Sequence, residues 1–491
     1  MLRLRSPKAC LVLVSGLVAL PSIAEAQYDP SALTDFIDGH AAEYGEMAQR
    51  IWDLAEVGYQ EEQSAELLAS SLTEAGFEVE MGVAGIPTAF VASWKQEEGP
   101  VIGILAEYDA LPGITQGRDP TRAPLEGTHA GHACGHHLFA AGSVAAAVAT
   151  KEWMAATGEA GEIRLYGTPA EEGGAGKVYM VREGLFDDAD VVLNWHPGDR
   201  NDAGAISTLA NKSARFRFSG VSAHAAAAPE RGRSALDGVE AMNHMVNLMR
   251  EHVPQETRIH YVITNGGAAP NVVPDAAEVY YYVRHPDPAE VQSIFDRITA
   301  AAEGAALGTG TTMNVEVMHG LYNLLPNVAL QEAIHENLVR VGGVTYDEDE
   351  RAFAERLRES LPSDAPPLES ASEVQPFAVV ESAGSWSTDV ADVSWVVPTG
   401  GMSAATWVPG TATHSWQAIA AGGTSIGNKG MIVAAKTLAL TAADLLTDPA
   451  LLDRARAEHR ERLPDDWTYE PLLGDRDPPL DYREDAASGG G

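Results

Sequence analysis

Apolar residues recur along this chain with two different periods, and the period changes twice. Between residues 31 and 76, Ile51, Leu54 and Ala55, then Leu67, Leu68 and Leu72, fall at helical spacing. Val101-Ile102-Gly103-Ile104-Leu105 is instead a short continuous apolar run, the pattern of a strand buried on both faces. Residues 163–166 and 191–193 repeat that pattern, and alanine-rich stretches, notably 138–156, predict helices between the strands. This alternation predicts an α/β fold: a mixed, mostly parallel sheet flanked by helices. Ligands of such sheets gather beyond the C-terminal ends of the strands.

Near residue 212 the pattern becomes that of a half-exposed sheet. Arg215-Phe216-Arg217-Phe218 alternates, a helix is predicted over 233–252, strands over 258–264 and 277–284, a helix over 288–307 and a strand over 313–318. The order β-α-β-β-α-β predicts an inserted ferredoxin-like α+β domain spanning 212–320. The first pattern then resumes with a helical segment, a strand over 393–397 and an alanine-rich helix over 428–446. The larger domain is therefore discontinuous, 27–211 with 321–462. Residues 359–376 are rich in Ser, Pro and Glu and predict a loop, and 463–491 predict an irregular C-terminal tail.

Composition narrows the setting. Arg3, Arg5 and Lys8, the apolar stretch Leu11 to Leu20 and the closing Ala24-Glu25-Ala26 form a secretory leader over 1–26. A soluble exported protein starting near Gln27, located in the periplasm, is expected; no later segment is read as a membrane span. The formal net charge of −37 argues against nucleic acid and anionic membrane surfaces as partners. At 491 residues the chain exceeds what one core usually serves. Of its two cysteines, Cys10 falls in the leader, leaving Cys134 with no disulfide partner.

Cys134 sits in Gly131-His132-Ala133-Cys134-Gly135-His136-His137, where a thiolate flanked by imidazoles suits a metal. Three more elements carry donor residues: Thr168-Pro169-Ala170-Glu171-Glu172-Gly173-Gly174, Asn194-Trp195-His196-Pro197, and Gly410-Thr411-Ala412-Thr413-His414. Each element alone fits a bland reading: an inert buried cysteine, a solvated Glu pair, a structural histidine. Their order and context together favour a site for zinc, manganese, cobalt or nickel rather than magnesium or calcium. Adjacent carboxylates such as Glu171 and Glu172 on a turn allow one to bind an ion while the other faces its water, the division that metal-assisted hydrolysis needs.

These motifs resemble the family of metal-dependent aminoacylases, carboxypeptidases and auxin-conjugate amidohydrolases, in its thiolate-ligand branch. Glu172 to His196 keeps the family spacing. Ala106 to Gly113, Ser222-Ala223-His224-Ala225, Asn271-Val272-Val273-Pro274-Asp275, Ser387 to Trp395 and Asn428-Lys429-Gly430-Met431 extend the likeness over nearly the whole mature chain. The resemblance implies two divalent metal ions, zinc or manganese with cobalt and nickel also compatible, held by Cys134, His136, Glu172, His196 and His414. It implies Glu171 as general base, Asp109 as an orienting acid, His224 as the group that polarises the scissile carbonyl, and Asn271 and Arg284 as holders of the substrate carboxylate. It further implies that the inserted domain is a lid and dimerisation domain, with His224 serving the partner's site. Hydrolysis of an N-acyl amino acid or dipeptide is expected, aroyl-glutamate and N-acyl aromatic amino acids among the candidates. The protein is expected as a homodimer or higher homo-oligomer, or as a B-type chain needing a related A-type chain. His137 departs from the acid or amide usual after Cys-Gly-His, and is an extra ligand or a group that alters the surroundings of the ligands.

Overall fold

The computed structural model describes residues 31–483, so the leader expected over 1–26 and the end of the C-terminal tail lie outside the described residues. The helical stretch at the start is three helices, Ser31–Gly39, Ala41–Leu54 and Glu62–Glu74, interrupted where Ala55 and Tyr59 take left-handed backbone conformations. That interruption turns Tyr59 and Glu61 inward, and both are buried.

A six-stranded sheet forms the centre, in the order Glu78–Met81, Phe90–Glu97, Gly161–Gly167, Val101–Ala106, Val191–Gly198 and Thr399–Ala405. The last four run parallel, and the first two are an antiparallel edge. Helices His136–Thr157 and Ser425–Thr447 pack on the sheet and on each other, buried through alanines such as Ala141, Ala145, Ala435 and Ala439. A helix apolar all round belongs in a core. Contrary to the expectation that no later segment is a candidate span, Ser425–Thr447 is long and apolar enough to cross a bilayer, but it is buried in this core.

The strand expected over 393–397 is not one. Val390–Ser394 is a short helix, and the parallel strand is Thr399–Ala405. Its Gly400 backbone lies where a Cβ would be 2.9 Å from Leu330 and from Ile334, and Gly401 where one would be 2.4 Å from Asn194. Tight packing demands a glycine-rich strand that strand propensity would not choose.

Residues 210–321 build the second sheet, antiparallel, in the order Arg258–Asn265, Ala276–His285, Ala210–Ser219 and Thr312–Leu321. Helices Ala235–Met249 and Pro288–Thr309 cover one face, burying Val239, Met242, Ile294 and Ile298 against Phe216, Val279 and Tyr281. Beyond helix Pro449–Arg462 the described tail residues, 463–483, form no helix or strand, yet Leu472 and Leu473 are buried.

Candidate metal centre

The ends of the parallel strands converge on one cluster. Val101–Ala106 leads into buried Glu107 and Asp109, Gly161–Gly167 into the turn bearing Glu171 and Glu172, and Val191–Gly198 contains His196. Cys134 and His136 flank Gly135, which opens helix His136–Thr157 with φ +80°. A Cβ on Gly135 would lie 2.6 Å from Pro197, so no other residue fits both that conformation and that approach. His414 also has positive φ, and its amide donates to the Ala133 carbonyl at 2.9 Å. Left-handed non-glycine backbone at Ala170, Ala175 and His414 is local strain concentrated around the cluster.

The donor atoms fall into sets. Cys134, His136 and His196 offer atoms within 4.8 Å of one another, as do Cys134, Glu172 and His414, and a third set joins Glu107, His136 and Glu171. The thiol is common to the first two. His136 Nδ1–H donates to Asp109 Oδ1 at 2.9 Å and His196 Nδ1–H to the Pro197 carbonyl at 2.7 Å. Both imidazoles therefore present an Nε2 lone pair to the cluster, the arrangement by which an acceptor behind a histidine fixes its ligating nitrogen. His196 Nε2 stands 3.4 Å from the Cys134 sulfur. His136 Nε2 and Glu107 Oε2 are 3.1 Å apart, as are His414 Nε2 and Glu172 Oε1. Glu107 Oε2, His136 Nε2 and Glu172 Oε1 are buried without an aligned hydrogen bond among the described residues. Two donors each about 2.1 Å from one ion stand about 3.4 Å apart at the tetrahedral angle and about 3.0 Å apart at the right angle of octahedral ions, so these spacings fit metal ligands.

Charge supports the same fit. Glu107, Asp109, Glu171, Glu172, Asp389 and Cys134 crowd a region where Lys177 is the buried ammonium, 2.7 Å from both Glu107 Oε1 and Asp389 Oδ1. Burial pushes the Cys134 thiol well up, and burial with Glu107 and Glu172 nearby pushes Glu171 up likewise. Burial works against the charge of Asp109 too, but His136 beside it prevails and lowers its pKa. Carboxylates packed this closely in low dielectric call for cations, and bound divalent ions reverse the local preference for protonation.

Asp109 also takes the Glu172 amide on Oδ2 at 2.9 Å, so one carboxylate sets two donor residues. Several residues here escaped sequence reasoning: Glu61, whose Oε1 accepts from the Ala170 amide at 2.9 Å; Tyr59, whose hydroxyl donates to the Gly174 carbonyl at 2.7 Å; and Lys177 with Asp389. Their signal is faint, since a charged residue bordering an apolar run is normally solvated. His137 is not in the donor sets. Its Nε2–H donates to the Gly422 carbonyl at 3.0 Å, and burial, with His132 beside it, holds its pKa well below the usual value. His137→Ala should leave metal content unchanged and lower the melting temperature, because an unpaired buried carbonyl costs about 1–3 kcal/mol; metal analysis beside a thermal melt checks both.

The second domain divides the remaining candidates. His224 and Asn271 are exposed neighbours, with the Ala225 amide donating to the Asn271 carbonyl at 3.1 Å. Arg284 is half-buried at the opposite end of strand Ala276–His285, paired with Asn211 and stacked 5.5 Å from the Tyr282 ring centre. The eight residue steps from Ala276 to Arg284 span about 26 Å. Within one chain, Asn271 and Arg284 therefore do not meet on one carboxylate. A joint hold needs one of them from a second copy.

Comparison with known proteins places this geometry. Residues 207–310 match a peptidase dimerisation domain of the M20 type. The chain is 41% identical over 455 residues to the B-type chain of the p-aminobenzoyl-glutamate hydrolase of Escherichia coli K12, covering 87% of this chain and 94% of that one. It is 31% identical over 460 residues to the Xaa-Arg dipeptidase of Mus musculus, covering 90% and 94% respectively. A solved Bacillus subtilis protein, described as a dinuclear metal binding peptidase from the M20 family, shares the fold at TM-score 0.56 and 18% identity, covering 85% of this chain and 99% of its own.

Proposed function

The chain belongs to the M20 family of metal-dependent peptidases and amidohydrolases, and on that premise we propose that it is a two-ion enzyme hydrolysing the amide bond of N-acyl amino acids, aroyl-glutamates first among them. The observation that carries this reading is Cys134 shared between two three-donor sets, with Glu171 in the set beside them. Two divalent ions held by Cys134, His136, Glu172, His196 and His414, zinc or manganese by donor type, would supply an acidified water and a Lewis acid for the amide carbonyl.

Glu171, half-buried, is the carboxylate that would take a proton from an attacking water and pass it to the leaving amine nitrogen as the C–N bond breaks. Asp109 holds His136 Nδ1 and the Glu172 amide in place meanwhile. His224 Nδ1 accepts from the amides of Ala226 and Ala227 at 3.2 and 3.3 Å, so its Nε2 carries the hydrogen and is free to donate to the carbonyl oxygen. Arg284 provides two parallel donors for a free carboxylate, which favours an amino-acid leaving group.

The separation of His224 and Asn271 from Arg284 supports a dimer in which one lid end serves the other protomer. The edge strand Arg258–Asn265, with Val262 and Ile263 exposed, is a face on which two lids could pair. The leader pattern over 1–26 supports export to the periplasm. The mouse relative favours a second reading, a dipeptidase, and likeness to both the B-type and the A-type chain of a bacterial hydrolase favours a third, a B-type chain acting with an A-type chain.

Release of free amino acid, from metal-loaded and chelated protein, should be measured across aroyl-glutamates, N-acetyl and N-aroyl amino acids and Xaa-Arg dipeptides. Chelator-sensitive release from aroyl-glutamates, restored by zinc or manganese, is expected. Release confined to the dipeptides would replace the substrate assignment. Silence across the panel with two ions bound would sink the single-chain reading in favour of a missing partner chain.

A further inference from the structure

We infer that Arg483, at the end of a C-terminal strap, is a positioning residue for the turn that carries Glu171 and Glu172. The functional consequence rests on the proposed metal site, but the placement does not.

The tail runs as a strap from helix Pro449–Arg462, past the base of the second domain, to that turn, anchored at successive points. Trp467 and Tyr469 pack with Tyr322 and Trp395, and the Tyr469 hydroxyl donates to the fully buried Asp392 at 2.7 Å. Arg476 donates to the carbonyls of Val317 and Met318, where strand Thr312–Leu321 carries a bulge, while its own carbonyl accepts from Arg182 at 2.7 Å. Gln60 donates to the Leu480 carbonyl at 2.9 Å. Tyr482 then lies edge-on to Tyr59, ring centres 5.6 Å apart, with its hydroxyl 3.4 Å from the Glu172 carbonyl. Arg483 Nη2 donates to that same carbonyl at 2.7 Å, its guanidinium 4.8 Å from the Tyr482 ring centre.

The grip matters because no ladder holds this turn. Ala170, Gly173 and Ala175 have φ of +59°, +105° and +60°. Side chains from elsewhere fix its backbone polar groups: Glu61 on the Ala170 amide, Asp109 on the Glu172 amide, Tyr59 on the Gly174 carbonyl. Glu172 is thus clamped at both ends, an anion on its N–H and a cation on its C=O, and a charge-assisted hydrogen bond is the stronger kind. Without Arg483 the Glu172 carbonyl loses its charged donor, and the carboxylate facing His414 loses part of what aims it.

The test uses the full chain with Arg483→Ala and Arg483→Lys. Three readouts are taken: hydrogen exchange across residues 168–175 in metal-free protein, affinity for each ion by competition with a chelating dye, and kcat with KM. Alanine should speed exchange in that segment, weaken the ion of the Cys134, Glu172 and His414 set about 10–100-fold as loss of a support behind a ligand does, and lower kcat with little change in KM. Lysine, which also reaches a carbonyl with a positive donor, should restore most of each. Unchanged exchange and ion affinity in a folded alanine variant would overturn the inference. So would equal weakening of both ions with a lowered melting temperature, which marks general destabilisation. A chain ending at Tyr482 gives the same readouts should the alanine variant not fold. Wild-type protein that binds ions yet hydrolyses nothing would count against the hydrolase reading alone, since exchange and affinity still decide the strap.

Discussion

Glu171→Gln should retain both metal ions and lose about 10²–10⁴-fold in kcat, the range that a well-placed general acid and base contributes. The substitution keeps the size of the side chain and one carbonyl oxygen, and removes only the capacity to hold a proton. The retained metal follows from the two thiol-containing donor sets, Cys134 with His136 and His196 and Cys134 with Glu172 and His414, since Glu171 belongs to the third set alone. KM should change little, since no substrate contact is altered. Glu172→Gln is the contrasting variant. Its Oε1 lies 3.1 Å from His414 Nε2 in the second set, so it should lose an ion as well as activity. Metal analysis on both proteins, beside steady-state kinetics, separates a base from a ligand. Full activity in Glu171→Gln with both ions present would remove Glu171 from the mechanism.

What sequence discloses here depends on how local each signal is. Cys134-Gly135-His136 and Glu171-Glu172 are compact motifs at strand or helix ends, so their chemistry shows in the letters alone. The β-α-β-β-α-β order of 210–321 shows for a similar reason, because each element has its own period. Lys177 and Asp389 do not show. A lysine among glycines reads as solvated until folding brings it against a carboxylate 212 residues away. The strand Thr399–Ala405 does not show either, because the more apolar Val393–Val397 looks the better strand, while close packing against Leu330 and Asn194 selects Gly400 and Gly401. The tail was legible only as irregular. Its order comes from side chains such as Arg476 and Arg483 donating to distant carbonyls, and such bonds leave no periodicity. The distance between His224 and Arg284 was hidden too, for motifs carry chemistry without carrying which end of a strand they occupy.

Cys134→Ala should cost more metal than any other single substitution, taking bound ions from two per chain towards none and hydrolysis below detection. A donor belonging to one set, such as His414, should release one ion when removed and leave the other. The thiol belongs to both sets, so its loss leaves His136 with His196 on one side and Glu172 with His414 on the other, two donors each. Pairs of donors bind first-row ions far more weakly than triads fixed by supports such as Asp109. Stability should follow metal. An ion present at a hundred times its Kd stabilises the fold by about 2.7 kcal/mol, and without it Glu107, Asp109, Glu171 and Glu172 are left facing one another with Lys177 as the buried counter-charge. Wild-type protein should therefore melt several degrees lower in chelator, while Cys134→Ala should start low and respond little to it. Metal content by mass spectrometry, with melts in chelator and in zinc, reads both effects at once. Two ions still bound to Cys134→Ala would show that the thiol is packing and not a bridge, and the carboxylate set of Glu107, His136 and Glu171 would then be the place to look for the first ion.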